Sequence, residues 1–197
     1  MKFYAIDTDG RTIIYFILAF VAVGCAFAIS YLGQFHEYLK ATAPSALMIY
    51  ICLIAIFDKY IWKWNLVNVL VGIPVLEGNW EGVLTRTDVN NETTSRQVKL
   101  VVTQTWRKMA LVFNGERSVS DAQVISLFNS NENSVRIKWI YVSRDLSGIE
   151  HKNLYGEGTT DLLLSVNGNS KQLIGVYYST KLKKGRIELK YKGETHE

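Results

Sequence analysis

The chain has 197 residues, a formal net charge of +4, and 48% hydrophobic against 20% charged residues. That length holds one ordinary domain plus a short appendage. The mild charge excludes the dense basic face of a duplex-DNA binder, so no DNA or RNA polymer is an expected partner. The charge is also unevenly spread. From Thr12 to Leu32 there is no charged residue, whereas residues 76–197 carry seventeen Lys and Arg against fourteen Asp and Glu.

The first uncharged run, residues 12–32, has the ~20 apolar residues that a membrane-spanning helix needs. Tyr15 and Tyr31 lie near its ends, where amphipathic aromatic rings prefer the interface. It is too long for the apolar core of a cleaved signal peptide, and a second run follows. That second run covers residues 43–61. Pro44 suits a first helical turn, Lys59 can snorkel to the headgroups, and Tyr60, Trp62 and Trp64 form an interfacial belt. Residues 33–42 would be the turn between two spans. Lys2, Arg11, Lys59 and Lys63 flank the outer ends, against Lys40 alone in the turn, so the positive-inside rule places the N-terminus and everything after the second span in the cytoplasm. Gly24 and Ala28, beside Ala22 and Ala26, give a small-residue line along which helices can associate. Cys25 and Cys52 both fall in the apolar runs and read as small apolar residues. A domain of this size without Cys favours a reducing compartment.

Residues 1–65 thus read as a two-helix transmembrane anchor, 66–75 as a juxtamembrane linker broken by Pro74, and 76–197 as a separate domain. Beyond Pro74 the apolar period changes from helical to alternating. Eight strands are predicted at 78–86, 96–105, 108–115, 119–128, 135–143, 154–166, 171–180 and 185–192. Turn formers separate them, among them Asn114-Gly115 and Asn167-Gly168-Asn169, and Asn-Gly between alternating segments is the strongest short hairpin signal. Every link is short enough for a hairpin, and closing the sheet removes its edges. The expected fold is two N-terminal transmembrane α-helices plus an all-β domain, an eight-stranded antiparallel up-and-down β-barrel. That strand number leaves an interior either filled or able to hold one small ligand.

Catalytic signals are absent. His36, His151 and His196 are far apart, no Cys/His spacing fits a metal, and no phosphate loop occurs. Glu157 and Asp161 share a strand face but read as solubilising surface. The expectation is no enzyme, no metal and no cofactor. Two runs place rings beside cations, Trp106-Arg107-Lys108 and Arg136 to Tyr141, and a third, Val176-Tyr177-Tyr178, adds two rings. Rings that stack and cations that meet phosphates are what a nucleotide needs, although Trp and Tyr are also ordinary strand formers. Alternation turns Arg86 and Arg107 inward, where an unpartnered cation is costly. The candidate ligand-binding residues are Arg86, Arg107, Trp139, Tyr141 and Tyr177.

Two close apolar runs followed by a β-rich domain opening L-E-G-N-W-E-G (residues 76–82) resemble the two-transmembrane, β-strand-rich effectors associated with CD-NTase nucleotidyltransferases in bacterial CBASS anti-phage defence. The G-x-W opening also begins lipocalin-like barrels, and its pairing with a two-span anchor carries the resemblance. The resemblance implies a multi-pass protein of the bacterial inner membrane, its barrel a cytoplasmic receptor for a cyclic dinucleotide made by a partner nucleotidyltransferase. Binding would promote homo-oligomerisation, and contact with membrane lipid would disrupt the membrane and kill the cell. The alternative is a membrane-tethered lipocalin-like barrel for a lipid or small apolar ligand.

Overall fold

A computed structural model describes residues 1–7, 9–33, 44–64, 67, 72–87, 93–130, 134–145, 155–168, 170–180 and 183–193. His36, His151, His196, the expected inter-span turn beyond Gly33 and half of the expected linker lie outside the described residues. The chain divides into two compact units, Thr8–Ile73 on one side and Met1–Asp7 together with Pro74–Glu197 on the other. The first seven residues therefore belong with the β domain, whereas the sequence grouped all of 1–65 as anchor.

The helical unit holds α1 (Gly10–Leu32) and α2 (Ala46–Lys59), followed by a 3₁₀ turn at Ile61–Lys63. With 23 residues, α1 extends ~35 Å, enough for the ~30 Å hydrocarbon core. Among the described residues it is the one helix long and apolar enough to cross a membrane. With 14 residues, α2 reaches only ~21 Å, shorter than the 43–61 expected. Pro44 stands outside it. The helix is opened instead by Ser45, whose Oγ accepts a hydrogen bond from the Met48 N–H at 3.3 Å, satisfying one of the orphan donors of a helix start. The two helices touch. The buried residues of α1 are Ile14, Leu18 and Ala22, spaced four apart as one stripe requires. Gly24 is not on it: among the described residues, no atom beyond its own stretch of helix stands within 4 Å of where its Cβ would be.

The β unit is a closed barrel. Its strands are β3 (Gly78–Thr87), β4 (Thr93–Gln104), β5 (Lys108–Asn114), β6 (Ser118–Ser130), β7 (Ser134–Asp145), β8 (Tyr155–Asn167), β9 (Ser170–Ser179) and β10 (Lys184–Gly193). Each pairs antiparallel with the next, and β10 closes on β3. This is the eight-stranded up-and-down barrel expected from the alternation. On β3, β7 and β10 the alternation turns Trp80, Ile137, Trp139, Ile187 and Leu189 inward, all at most 4% exposed. On β8, whose two faces were equivalent in sequence, burial of Thr160, Leu162 and Leu164 decides the matter. Glu157 and Asp161 consequently face out, and Asp161 pairs with Arg136 at 3.5 Å and Lys138 at 3.3 Å.

The interior is graded along its axis. At the end where Pro74–Glu77 enters, it is filled. Leu76, Trp80, Trp106 and Met109 are at most 1% exposed, each large side chain stabilising by about 1.5–3 kcal/mol through burial. The G-N-W opening has a physical reason here. Trp80 donates its indole N–H to the Leu76 carbonyl at 2.9 Å and meets the Tyr191 ring edge-on at 5.1 Å. Gly78 lets the chain pass, because at φ +129° a Cβ would stand 2.6 Å from the Gly193 carbonyl. Gln104, 2% exposed, accepts from the Leu76 N–H at 2.8 Å and donates to the Pro74 carbonyl at 3.1 Å. One amide thus satisfies two backbone groups that would each cost about 1–3 kcal/mol unpaired.

Two short strands complete the sheet. β1 (Lys2–Phe3) runs antiparallel to β5, and β2 (Ala5–Ile6) runs parallel to β6. They fill a seam that the eight strands leave, since β5 and β6 pair directly only from Val112–Asp121 to Asn114–Val119. No hairpin links this segment to its partners more than 100 positions away, so alternation could not reveal it.

Candidate ligand cavity

Toward the opposite end the interior opens into a cavity of about 300 Å³, at the small end of the range for ligand pockets. Its wall takes Leu84 and Arg86 from β3, Arg96 and Val98 from β4, Phe113 from β5 and Ser120 from β6. The far wall takes Trp139, Tyr141 and Ser143 from β7, Thr160 from β8 and Tyr177 and Ser179 from β9. The β5–β6 turn adds Gly115, Glu116, Arg117 and Ser118, and Lys183 stands where β10 begins. These residues run from mid-strand, at Val98, Trp139 and Thr160, to the strand ends remote from Pro74, and the cavity opens toward that end of the barrel.

The chemistry is mixed in a particular way. Among the described residues, four cations, Arg86, Arg96, Arg117 and Lys183, surround the space against one carboxylate, Glu116. The floor is aromatic, with Trp139 4% and Tyr177 8% exposed. Hydroxyls of Thr160, Ser120, Ser143 and Ser179 stand between them. Such a lining offers π-faces for flat rings, fixed hydroxyl donors and a field that favours anions.

Tyr141 is held in place on one side by its neighbours. Its hydroxyl donates to the Tyr178 carbonyl at a long 3.5 Å. Burial pushes its phenol up to about 12, a hydrogen bond with Ser179 partly offsetting this and Tyr177 adding to it. The neutral phenol is the form favoured by folding. Its contribution is therefore full below pH 10 and fades as pH rises from 10 toward 12. In an ultraviolet phenolate titration, one ionisation near pH 12 is expected in the wild-type chain and absent in Tyr141→Phe.

Of the five residues singled out in sequence, Arg86, Trp139, Tyr141 and Tyr177 come together around this cavity. Arg107 does not. It sits in the β4–β5 turn, the full length of β5 away, which is roughly 20 Å at the rise of a strand. Its parity with Met109, Leu111 and Phe113 was read correctly but carried one residue past the strand. Arg96, Arg117 and Lys183 were missed. Arg96 had a signal, since it shares parity with Val98, Leu100 and Val102, all buried. Arg117 and Lys183 are turn residues, for which alternation says nothing.

Residues 71–191 match the family model described as Cap15, cyclic dinucleotide receptor domain. This chain belongs to that family. A relative in Yersinia aleksiciae, CD-NTase-associated protein 15, is 28% identical over 141 residues, which is 68% of this chain and 66% of the relative's own length. The resemblance to CD-NTase-associated effectors of CBASS, read from the two apolar runs and the G-x-W opening, therefore holds, and it is this Cap15-type barrel that carries the cationic, ring-floored cavity.

Proposed function

We propose that this chain is a membrane-anchored CBASS effector whose barrel is the receptor for a cyclic dinucleotide, and that it is a sensor rather than an enzyme. The observation that carries the reading is the cavity lining: four cations and an aromatic floor in one space. A cyclic dinucleotide presents two phosphates and two flat bases, which are the groups that cations and rings recognise. The family name points the same way. A lipid-binding barrel is favoured less, because the more apolar end of the interior is the one filled by Leu76, Trp80, Trp106 and Met109.

The anchor reading is supported by connectivity. Met1–Asp7 and Pro74–Glu197 form one compact unit, so both ends of the intervening segment emerge on one side of any membrane. If α1 crosses, the chain must cross back, and α2 with the residues around it is the available segment. The positive-inside balance puts that side in the cytoplasm of the bacterial inner membrane. In this reading, a signal made by a partner nucleotidyltransferase fills the barrel, the chains oligomerise, and the membrane unit disrupts the bilayer and kills the cell.

The test is calorimetry of the full chain in detergent micelles against a panel of cyclic dinucleotides carrying purine and pyrimidine bases. One member binding with a Kd in the micromolar range or below is the expected result. No binding by a chain shown to be folded rejects the receptor reading.

A further inference from the structure

The seam between β5 and β6 joins the cavity to the N-terminal segment, and its hydrogen bonding is divided between two competing partners. At the cavity end β5 and β6 pair with each other, and Phe113 and Ser120 within that short ladder, with Arg117 and Ser118 beside it, line the cavity. At the other end each strand pairs with the N-terminal segment instead: Met109 and Lys108 with Lys2 and Phe3, Ser126 and Leu127 with Ala5 and Ile6. The changeover coincides with an irregularity in β6, where the register shifts between Ala122 and Val124. Gln123, the residue inside that irregularity, accepts a hydrogen bond from the Lys2 ammonium. Below it, the Tyr4 hydroxyl donates to the Trp106 carbonyl at 2.8 Å with the ring 2% exposed, and the Asp7 N–H donates to the Leu127 carbonyl at 3.3 Å. Asp7 precedes Gly10, the first residue of α1, by three positions.

We propose that Met1–Asp7 is a strand released by the ligand, coupling occupancy of the cavity to α1. The inference rests on the reading of the cavity given above. A ligand held jointly by Phe113 of β5 and by Arg117, Ser118 and Ser120 draws the two strands onto one body. That favours extension of their direct ladder beyond Val112–Asp121. In the register of that ladder, extension passes Leu111–Ala122 and Ala110–Gln123 and then reaches Met109, whose backbone the N-terminal segment already holds through Lys2, and a backbone N–H or C=O serves one strand partner at a time. The segment joins the sheet through two ladders of only two residues each, with the buried Tyr4 ring between them, so it is a small unit that can open without the barrel opening. Its release frees the chain immediately before α1. Coupling of this kind is reciprocal: whatever factor the ligand applies to strand release, loosening the strand applies to ligand affinity.

Two measurements on the full chain in micelles test this, with the tightest binder of the cyclic dinucleotide panel as probe. Hydrogen exchange of the amides at residues 2–7 is expected to quicken at least about tenfold at saturating probe, while those of Leu173 and Ile187 do not quicken. Tyr4→Phe deletes the bond to the Trp106 carbonyl but keeps the buried ring, and is expected to raise probe affinity up to about fivefold. A purely structural role for Tyr4 would leave affinity unchanged or lower it. Tight binding with unchanged or slower exchange at residues 2–7, or no gain in Tyr4→Phe, overturns the coupling and leaves the receptor reading intact. If no probe binds the wild-type chain, the receptor reading fails and the coupling falls with it.

Discussion

Arg86→Ala is expected to weaken cyclic dinucleotide binding by about 10- to 100-fold, whereas Arg107→Ala leaves it within about twofold. The magnitude follows from a charge-assisted hydrogen bond, worth about 1.5–3 kcal/mol. Arg86 is half-buried on β3, between Thr94 of β4 and Gly185 of β10, and its side chain borders the cavity. Arg96 and Arg117 border the same space but are exposed, so water screens them more and each contributes less. Arg86→Lys keeps the charge but not the planar fork that matches a phosphate, and should fall between wild type and Arg86→Ala. Calorimetry at two salt concentrations checks this, with circular dichroism to show that each variant is folded. Equal losses in Arg86→Ala and Arg107→Ala would mean that the cavity is not where the ligand sits.

The contrast between these two arginines also shows what was legible in the sequence. Alternation fixes a side only within a strand. It placed Arg86 with Trp80 and Leu84, and Tyr141 with Ile137 and Trp139, because all of them lie between turn formers that the sequence displays. It failed at Arg107 because the residue lies in a turn, where period two no longer holds. It was silent on β8, where Gly156, Gly158 and Thr160 alternate with Glu157, Thr159 and Asp161 and neither set is clearly apolar. Only the packing of Leu162 and Leu164 settles that strand. The N-terminal strands were illegible for a different reason. Lys2-Phe3-Tyr4-Ala5-Ile6 is too short to show a period, and its partners are set by tertiary contact with β5 and β6. The second helix is shorter than its apolar run at both ends, since Ser45, not Pro44, caps its start and the chain passes into a 3₁₀ turn after Lys59.

Gly158→Ala is expected to destabilise the barrel by about 2–3 kcal/mol and to lower its thermal midpoint by roughly 10 °C. Gly158 lies on β8 opposite Tyr141 of β7 and Ser179 of β9. A Cβ there would stand 2.2 Å from the Tyr178 carbonyl and 2.4 Å from the Tyr141 hydroxyl. The carbonyl is backbone in a paired strand, so it can yield only if β9 moves; the phenol can yield only by leaving its place in the cavity wall. Both responses damage the site, and ligand affinity should therefore fall together with stability. Combining the substitution with Tyr141→Ala separates the two. Removing the ring relieves one contact but not the other, so Gly158→Ala should cost less in the Tyr141→Ala background than in the wild-type chain, yet still destabilise it, and affinity should not return. No cost of Gly158→Ala in that background would show that the ring alone, and not the approach of β9, requires glycine at this position.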